Sequence, residues 1–313
     1  MLQKISEPTD PAYGKPPEQR SMAELLELGV VVVDKPPGPS SHEVSVWVKN
    51  LLGARRTGHA GTLDPNVSGV LPVALNRATR VLGLLLKEEK EYVGIIRFHR
   101  RVSEQEVRQA FARFIGEIVQ VPPVKSAVRR VPRKRKVYYL AVTELFPTEA
   151  LFTARVEAGT YIRKLCHDIG KQLGGANLLE LRRTRAGGLG EELAVALPTL
   201  ADAAWLWKEK GDESALRSIV LPVEKVVTLP RMLIRDSAIE AVCSGAPLHV
   251  PGIVGVDENV VAGTRVALFS QKGELVAVAQ ATMSAHEMLR AEKGTAAKTL
   301  RVVMKKGTYP KGW

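Results

Sequence analysis

Cysteine, aromatic residues and long apolar runs are scarce in this chain. It has two cysteines, Cys166 and Cys243, and six scattered histidines in 313 residues. Two cysteines cannot supply the usual four ligands of a structural zinc site, and the histidines do not complete one. Each cysteine reads as a buried apolar residue in a reducing compartment. No apolar run reaches the ~18 residues of a membrane span. The N-terminal stretch MLQKISEPTDPAYGKPPEQR is polar and proline-rich, without a signal-peptide core. The expected location is the cytoplasm, with no membrane partner. Phosphate-loop (GxxxxGK[ST]), dinucleotide (GxGxxG) and nucleophile-elbow (GxSxG) motifs are missing too, so the chemistries they serve have no support. Acidic residues are outnumbered: Asp+Glu is 33 against Lys+Arg 45, a net charge of +12 and a pI of about 9.7. A surplus of that size points to a polyanionic partner, nucleic acid above all.

What is present is an ordinary globular composition, 45% hydrophobic and 25% charged, long enough for one large and one small domain. Residues 1–20 read as an arm with little structure of its own. LGVVVVDKPPG is a buried strand ended by Pro36, Pro37 and Gly38. SSHEVSVWVKNLL is a helix with capping-box spacing between Ser40 and Glu43, and SEQEVRQAFARFIGEIV is another, capped by Ser103 and Glu106. EYVGIIRF, Val137–Val142 and FTARVEA read as strands, and TYIRKLCHDIGKQLG as a helix ended by Gly174 and Gly175. The segment 145–155 looks short, which leaves the sheet edge open. Strands and helices mix without a strict βαβ rhythm, which predicts an α+β fold with a mixed, largely antiparallel sheet. Beyond about Val226, short strands punctuated by Gly and Pro predict a small β-barrel domain. The expected organisation is an arm (1–20), a large domain (21–225), a β-barrel domain (226–306) and a tail (307–313).

Four features could carry chemistry. In TGHAGTLDPNVSGV, Pro65 restricts Asp64 to extended backbone, and Gly58, Gly61 and Gly69 permit tight turns. A carboxylate presented this way serves as nucleophile or acid/base group, although capping a turn is the commoner job of a loop Asp. In GTYIRKLCHDIG, Arg163 would orient Asp64 through charge-assisted bonds if the two meet; a solvated Arg and a core Tyr161 is the plain alternative. Tyr92 in KEYVG could stack on a base or simply fill a core. Finally, Arg129, Arg130, Arg133, Lys134, Arg135 and Lys136 place six cations in eight residues, and Arg182, Arg183 and Arg185 add three in four. The first run, broken by proline, suits a mobile arm that grips phosphates. The residues alone indicate a cofactor-free, RNA- or DNA-directed protein, with Asp64 as its candidate reactive group.

GHAGTLDPNVSGVLPVALNRATR resembles the catalytic motif of the TruB-type pseudouridine synthases. VDKPPGPSSHEV resembles their first motif, KEYVG the segment with their active-site tyrosine, and GTYIRKLCHDIG and LLELRRTR their later motifs. These run in order over about residues 28–190. PPVKSAVRR followed by KVYYL resembles the archaeal and eukaryotic dyskerin branch. SGAPLHVPGIV resembles a PUA domain, a small RNA-binding β-barrel. The resemblance implies a pseudouridine synthase fold in 21–225 and a PUA domain in 226–306. It makes Asp64 the catalytic carboxylate, Arg163 its ion-pair partner and Tyr92 the residue that stacks on uracil. Tyr161, Leu181, Gly61 and Thr62 would build the pocket, and His59 would displace the target nucleotide. The two basic runs and Gly245, Ala246 and Pro247 would bind RNA. No metal and no cofactor is implied. One departure is Ala176–Asn177–Leu178, where the family usually has His after the Ala. Implied partners are box H/ACA guide RNA, rRNA, tRNA and three small ribonucleoprotein subunits: a zinc-ribbon-like peptide, a β-barrel protein and a kink-turn binder. Stand-alone modification of the tRNA TΨC loop and a non-catalytic RNA scaffold are the alternatives.

Overall fold

The computed structural model describes residues 1–122 and 129–311. Most of the PPVKSAV stretch that carried part of the resemblance lies outside them.

The run Gly29–Lys35 becomes a strand because both its faces find apolar partners. Val31 and Val33 face one core with Leu71, Val73 and Leu75 of the strand Ser68–Leu75, together with the helices Ser41–Leu52 and Ile162–Lys171. Val30 and Val32 face a second core with Val70 and Ala74. A strand buried on both sides reads as a continuous apolar run rather than an alternating one. It belongs to a ten-stranded sheet. The path runs Leu221–Pro222, Gly29–Lys35, Ser68–Leu75, Ala176–Ala186, Lys90–Phe98, Glu149–Val156, Arg133–Leu145 and Gly116–Gln120. Two short strands, Thr57–His59 and Leu189–Gly190, pair beside it. Along this path one pairing is parallel, Ser68–Leu75 with Ala176–Ala186, and the others are antiparallel. The fold is α+β with a mixed, largely antiparallel sheet, as expected.

A second, seven-stranded sheet forms from Arg231–Ile234, Leu248–His249, Ile253–Val256, Arg265–Ser270, Leu275–Ala281 and Thr295–Val302, with Leu2–Gln3 at one edge. It encloses its own core. It also shares the second core of the large sheet, to which it contributes Ala267, Phe269, Leu275, Val278 and Val303. Polar stitching accompanies this. Arg77 donates to the carbonyls of Val303 (2.9 Å) and Met304 (2.6 Å), and Arg80 to that of Val302 (2.8 Å).

Several expectations are corrected. The N-terminal arm is not structureless: Leu2 pairs with Val256, and the Lys4 ammonium caps the carbonyls of Met288, Leu289 and Ala291. Arg20 makes a buried bidentate pair with Glu224. The tail packs as well, with Tyr309 buried and its hydroxyl donating to Glu274. The helix from Ser103 stops at Ala112, and Gly116, at φ 97°, opens a strand instead. The sheet edge left open around residues 145–155 lies elsewhere: Glu149–Val156 sits between two long strands, and the path ends at Gly116–Gln120. The basic run is no mobile arm from Arg133 onward, because Arg133–Leu145 is a strand paired with Gly116–Gln120.

Candidate active site

Asp64 sits on the loop between Thr57–His59 and Ser68–Leu75. Pro65 places Asp64 at the first position of a turn closed by Val67 N donating to Asp64 O at 3.0 Å. The turn is fastened from below. The Lys35 ammonium, fully buried, donates to the carbonyls of Pro36 (2.8 Å), Pro65 (2.9 Å) and Val67 (2.8 Å). Ser41, also buried, donates to Leu63 O and accepts from Leu63 N. Ser40 already caps the helix, so the second serine is free for this task. From the other side Arg183 donates to Val70 O (2.8 Å) and Gly61 O (2.9 Å). Gly69 allows this approach: a Cβ there, at φ 103°, would lie 2.2 Å from the carbonyl oxygen of Arg183. Three buried side chains thus fix one loop, and Asp64 emerges from it half exposed.

Arg163 meets Asp64, its Nη2 at 2.8 Å from Oδ2, and both side chains keep more than half their exposure. Arg163 is in the first turn of Ile162–Lys171. The preceding residue, Tyr161, is held by Gln120, which accepts from its N–H (3.0 Å) and donates to its carbonyl (3.2 Å). Tyr92 lies in Lys90–Phe98, 8% exposed, opposite Arg183. Burial pushes the Arg183 guanidinium down, and Tyr92 acts in the opposite sense. Lys90 shares the inward face of the strand with Tyr92. Burial, then the charge of Arg183, push its amine down to about 8, while Glu88 opposes them. Burial also lowers Lys35, which the charge of Asp64 partly restores. His59 is lowered by burial, then by His42 and Arg183, and its Nδ1 is buried without a hydrogen-bond partner.

The remaining expected site residues separate into groups. Gly61, at φ 81°, belongs to the fastened loop, and Thr62 is exposed on it. Leu181 stands opposite Gly94 and packs against the main core. Arg133 and Arg135 line a groove of about 740 Å³ with Leu86, Lys87, Glu157, Ala158, Gly159 and Tyr161. Arg129 and Arg130 are exposed. Lys134 pairs with Glu117, and Lys136 lies over the Tyr138 ring. Arg182 is engaged by Asp34, in a bidentate pair, and by Glu191. Arg183 corrects the expectation of a phosphate contact: at 1% exposure it is a support of the Asp64 loop. Gly245, Ala246 and Pro247 form a turn after the helix Asp236–Cys243, on the smaller sheet's domain. Lys35, Ser41, Lys90 and Gln120 were not singled out from the sequence. Strand parity was the signal for Lys90, and a lysine closing an apolar run was the signal for Lys35. Among the described residues no cluster of His, Cys, Asp and Glu could hold a metal ion, and no helix is long and apolar enough to cross a membrane.

Residues 49–162 match the TruB family pseudouridylate synthase N-terminal domain, and residues 163–228 match the tRNA pseudouridylate synthase B C-terminal domain. The protein is therefore a pseudouridine synthase, an isomerase. Residues 230–303 match the PUA domain, a barrel-like fold, and residues 1–45 the DKCLD domain. The chain is 51% identical to a probable tRNA pseudouridine synthase B of Methanosarcina barkeri, over 100% of this chain and 93% of that one. It is 49% identical to its counterpart in Methanopyrus kandleri, with the same coverage. Among solved structures, an H/ACA RNP bound to a substrate RNA containing 2′-deoxyuridine matches with TM-score 0.93 at 45% identity, over 100% of this chain and 96% of that one. A Cbf5–Nop10–Gar1 complex matches with TM-score 0.92 at 47% identity, over 99% and 95%. The chain belongs to the TruB family of pseudouridine synthases, in its archaeal dyskerin branch.

Proposed function

We propose that this chain isomerises uridine to pseudouridine in rRNA or tRNA with Asp64 as its catalytic carboxylate, and that box H/ACA guide RNA selects the uridine. The observation that carries the reading is the 2.8 Å pair between Asp64 and Arg163 on a loop fixed by buried side chains. Pseudouridylation breaks the N1–C1′ bond, turns the uracil and joins C5 to C1′. The C5 proton leaves and N1 gains one, so composition is unchanged and no cofactor is consumed. The detached base must stay in place while positive charge develops at C1′. Asp64 faces that charge as attacking group or as stabiliser, and Arg163 fixes its direction. Tyr92 forms the floor on which the ring turns. His59, at the start of the Asp64 loop, helps hold the nucleotide out of its stack, which offsets part of an unstacking cost of a few kcal/mol. A hydrolytic glycosidase would need a second carboxylate to direct water; the partner of Asp64 is a cation instead.

The names of the solved neighbours support assembly with guide RNA and small proteins of the Nop10 and Gar1 kind. The PUA domain, with Gly245, Ala246 and Pro247 at its surface, is the part assigned to guide RNA. A second reading, stand-alone action on the TΨC loop, is favoured by the relatives named probable tRNA pseudouridine synthase B. Tritium release from uracil-C5-labelled RNA separates them. The guided reading expects release only with guide and partner proteins, and the other expects it from tRNA transcript alone. Asp64→Asn is expected to abolish release in either format while leaving RNA binding within about twofold. Release at the wild-type rate would refute the role of Asp64.

A further inference from the structure

We propose that Gln120 is a positioning residue for the isomerisation: it clamps the start of the helix that carries Arg163 and so sets the direction from which Arg163 meets Asp64. The inference rests on the pseudouridine synthase reading and deepens it.

Four helices of this chain begin with a capping box of their own: Ser21 with Glu24, Ser40 with Glu43, Ser103 with Glu106 and Ser284 with Glu287. The helix Ile162–Lys171 does not. Its N-cap is Tyr161, which makes no side-chain capping bond. Three residues on stands Lys164, a cation engaged by Asp168, which cannot accept from the N–H groups that a helix start leaves open. The missing part comes from another strand. Gln120 Oε1 accepts from Tyr161 N–H at 3.0 Å, the bond that a capping-box glutamate would otherwise make. Gln120 Nε2 donates to Tyr161 O at 3.2 Å, and the same oxygen receives the first helical bond, from Leu165 N at 2.9 Å. The amide fits in one orientation only, since the N–H asks for an acceptor and the carbonyl for a donor.

Gln120 ends the strand Gly116–Gln120 at the edge of the large sheet and is the one buried residue of that strand. A buried amide needs polar partners, and Gln120 directs both ends of its amide to Tyr161. The apolar face of the helix, with Ile162, Leu165, Cys166 and Ile169, fixes where the helix lies. Its first turn, however, follows Gly159, at φ 81°, and a turn closed by Thr160 N donating to Glu157 O at 3.2 Å. Arg163 projects from this first turn. Its contact with Asp64 is a 2.8 Å pair between side chains that are both more than half exposed. A pair in that much water is too weak to fix its own geometry. The backbone beneath Arg163 therefore sets its direction, and Gln120 holds the residue from which that backbone starts.

The test is a double-mutant cycle on the full-length protein, with Gln120→Met, Arg163→Met and the two combined. The readout is single-turnover tritium release from uracil-C5-labelled RNA, at saturating RNA and well below each melting point, in the format in which wild type is active. RNA binding is measured on the same proteins. Gln120→Met is expected to lower the rate about tenfold or more, as a small displacement at the reacting centre does, with RNA binding within about twofold of wild type. In the Arg163→Met background the same substitution should cost less than about threefold, because the residue it acts through is gone. A merely structural glutamine would lower the melting temperature and leave the rate of the folded protein unmoved. Gln120→Glu keeps the shape and still accepts from Tyr161 N–H, but it sets an oxygen against the Tyr161 carbonyl. It is expected to lose rate in the same sense, and it takes the place of Gln120→Met in the cycle if the methionine variant does not fold. A rate within about threefold of wild type for the Gln120 variant, or equal fold losses in the two backgrounds, overturns the proposal. An Arg163→Met protein as fast as wild type would instead overturn the reading of the Asp64 pair itself, so the two failures are distinguishable.

Discussion

Replacing Lys35 by Met removes the floor of the Asp64 loop while keeping much of the volume of the side chain. The ammonium makes three bonds to backbone carbonyls and has no exposure to solvent. Bonds from a charged donor are worth roughly 1.5–3 kcal/mol each, so three amount to roughly 4–9 kcal/mol. Against this, the substitution relieves the desolvation of one ammonium, which is several kcal/mol. The remainder is a net destabilisation of about 2–4 kcal/mol, with the carbonyls of Pro65 and Val67 left without their donor. The catalytic effect should be larger than stability alone explains, because Asp64 is carried by that turn. A shift of about 1 Å in a reacting group costs on the order of 10²-fold in rate. Urea denaturation would give the stability change. Single-turnover tritium release at saturating RNA, well below the melting point of the variant, would give the rate. A variant within about threefold of wild type in rate and about 0.5 kcal/mol in stability would refute the idea that Lys35 positions the loop.

Arg163→Met should show the opposite balance. The pair it breaks is more than half exposed, so the stability loss should stay below about 1 kcal/mol, whereas kcat should fall on the order of 10²-fold or more; a rate within fivefold of wild type would refute its orienting role. Gly69→Ala should destabilise severely or prevent folding, since the new Cβ meets the Arg183 backbone at a positive φ, and thermal melting reads this directly. Lys90 gives a pH prediction. Its folded-state value is about 8 against 10.5 unfolded, so the unfolded chain binds the extra proton between those values. Its unfavourable contribution is full below pH 8 and fades as pH rises toward 10.5. The stability advantage of Lys90→Met over wild type should therefore shrink across that window in paired urea titrations, and a gap that is flat or widens there would contradict the assignment.

The parts of the fold that local chemistry dictates were legible in the sequence. The capping boxes at Ser40 and Ser103 form with their glutamates, and the valine run is a strand. The helix from Ser103 was overextended because Phe114, Ile115, Ile118 and Val119 continue an apolar pattern that fits either period. Gly116 and the pairing with Arg133–Val137 decide for a strand. At the site, the spacing of Asp64, Tyr92 and Arg163 was visible only through motif resemblance. That Asp64 and Arg163 touch is a property of the fold. Arg183 was misread for a physical reason: three neighbouring arginines look like one basic patch. In this strand, however, Arg182 and Arg183 take opposite faces, a shift of register between Arg183 and Arg185 leaves Arg185 exposed, and Arg183 points inward beneath Gly61. Residues 1–20 looked unstructured because their partners, Val256, Met288 and Glu224, lie more than 200 residues away in the chain.

The shared core between the two sheets has a consequence for the length of any RNA that occupies both. Val30, Val32 and Val70 interlock with Phe269, Leu275 and Val303, and Arg77 and Arg80 grip the carbonyls that follow the last strand. No free linker separates the PUA domain from the sheet that carries Asp64. The span between them works like the fixed jaws of a caliper. An RNA held at the PUA end gains the full benefit of a tethered second contact only if its own contour matches that span. Under the guided reading, slack must then come from the RNA, and a strand whose length does not match the span loses part of that benefit.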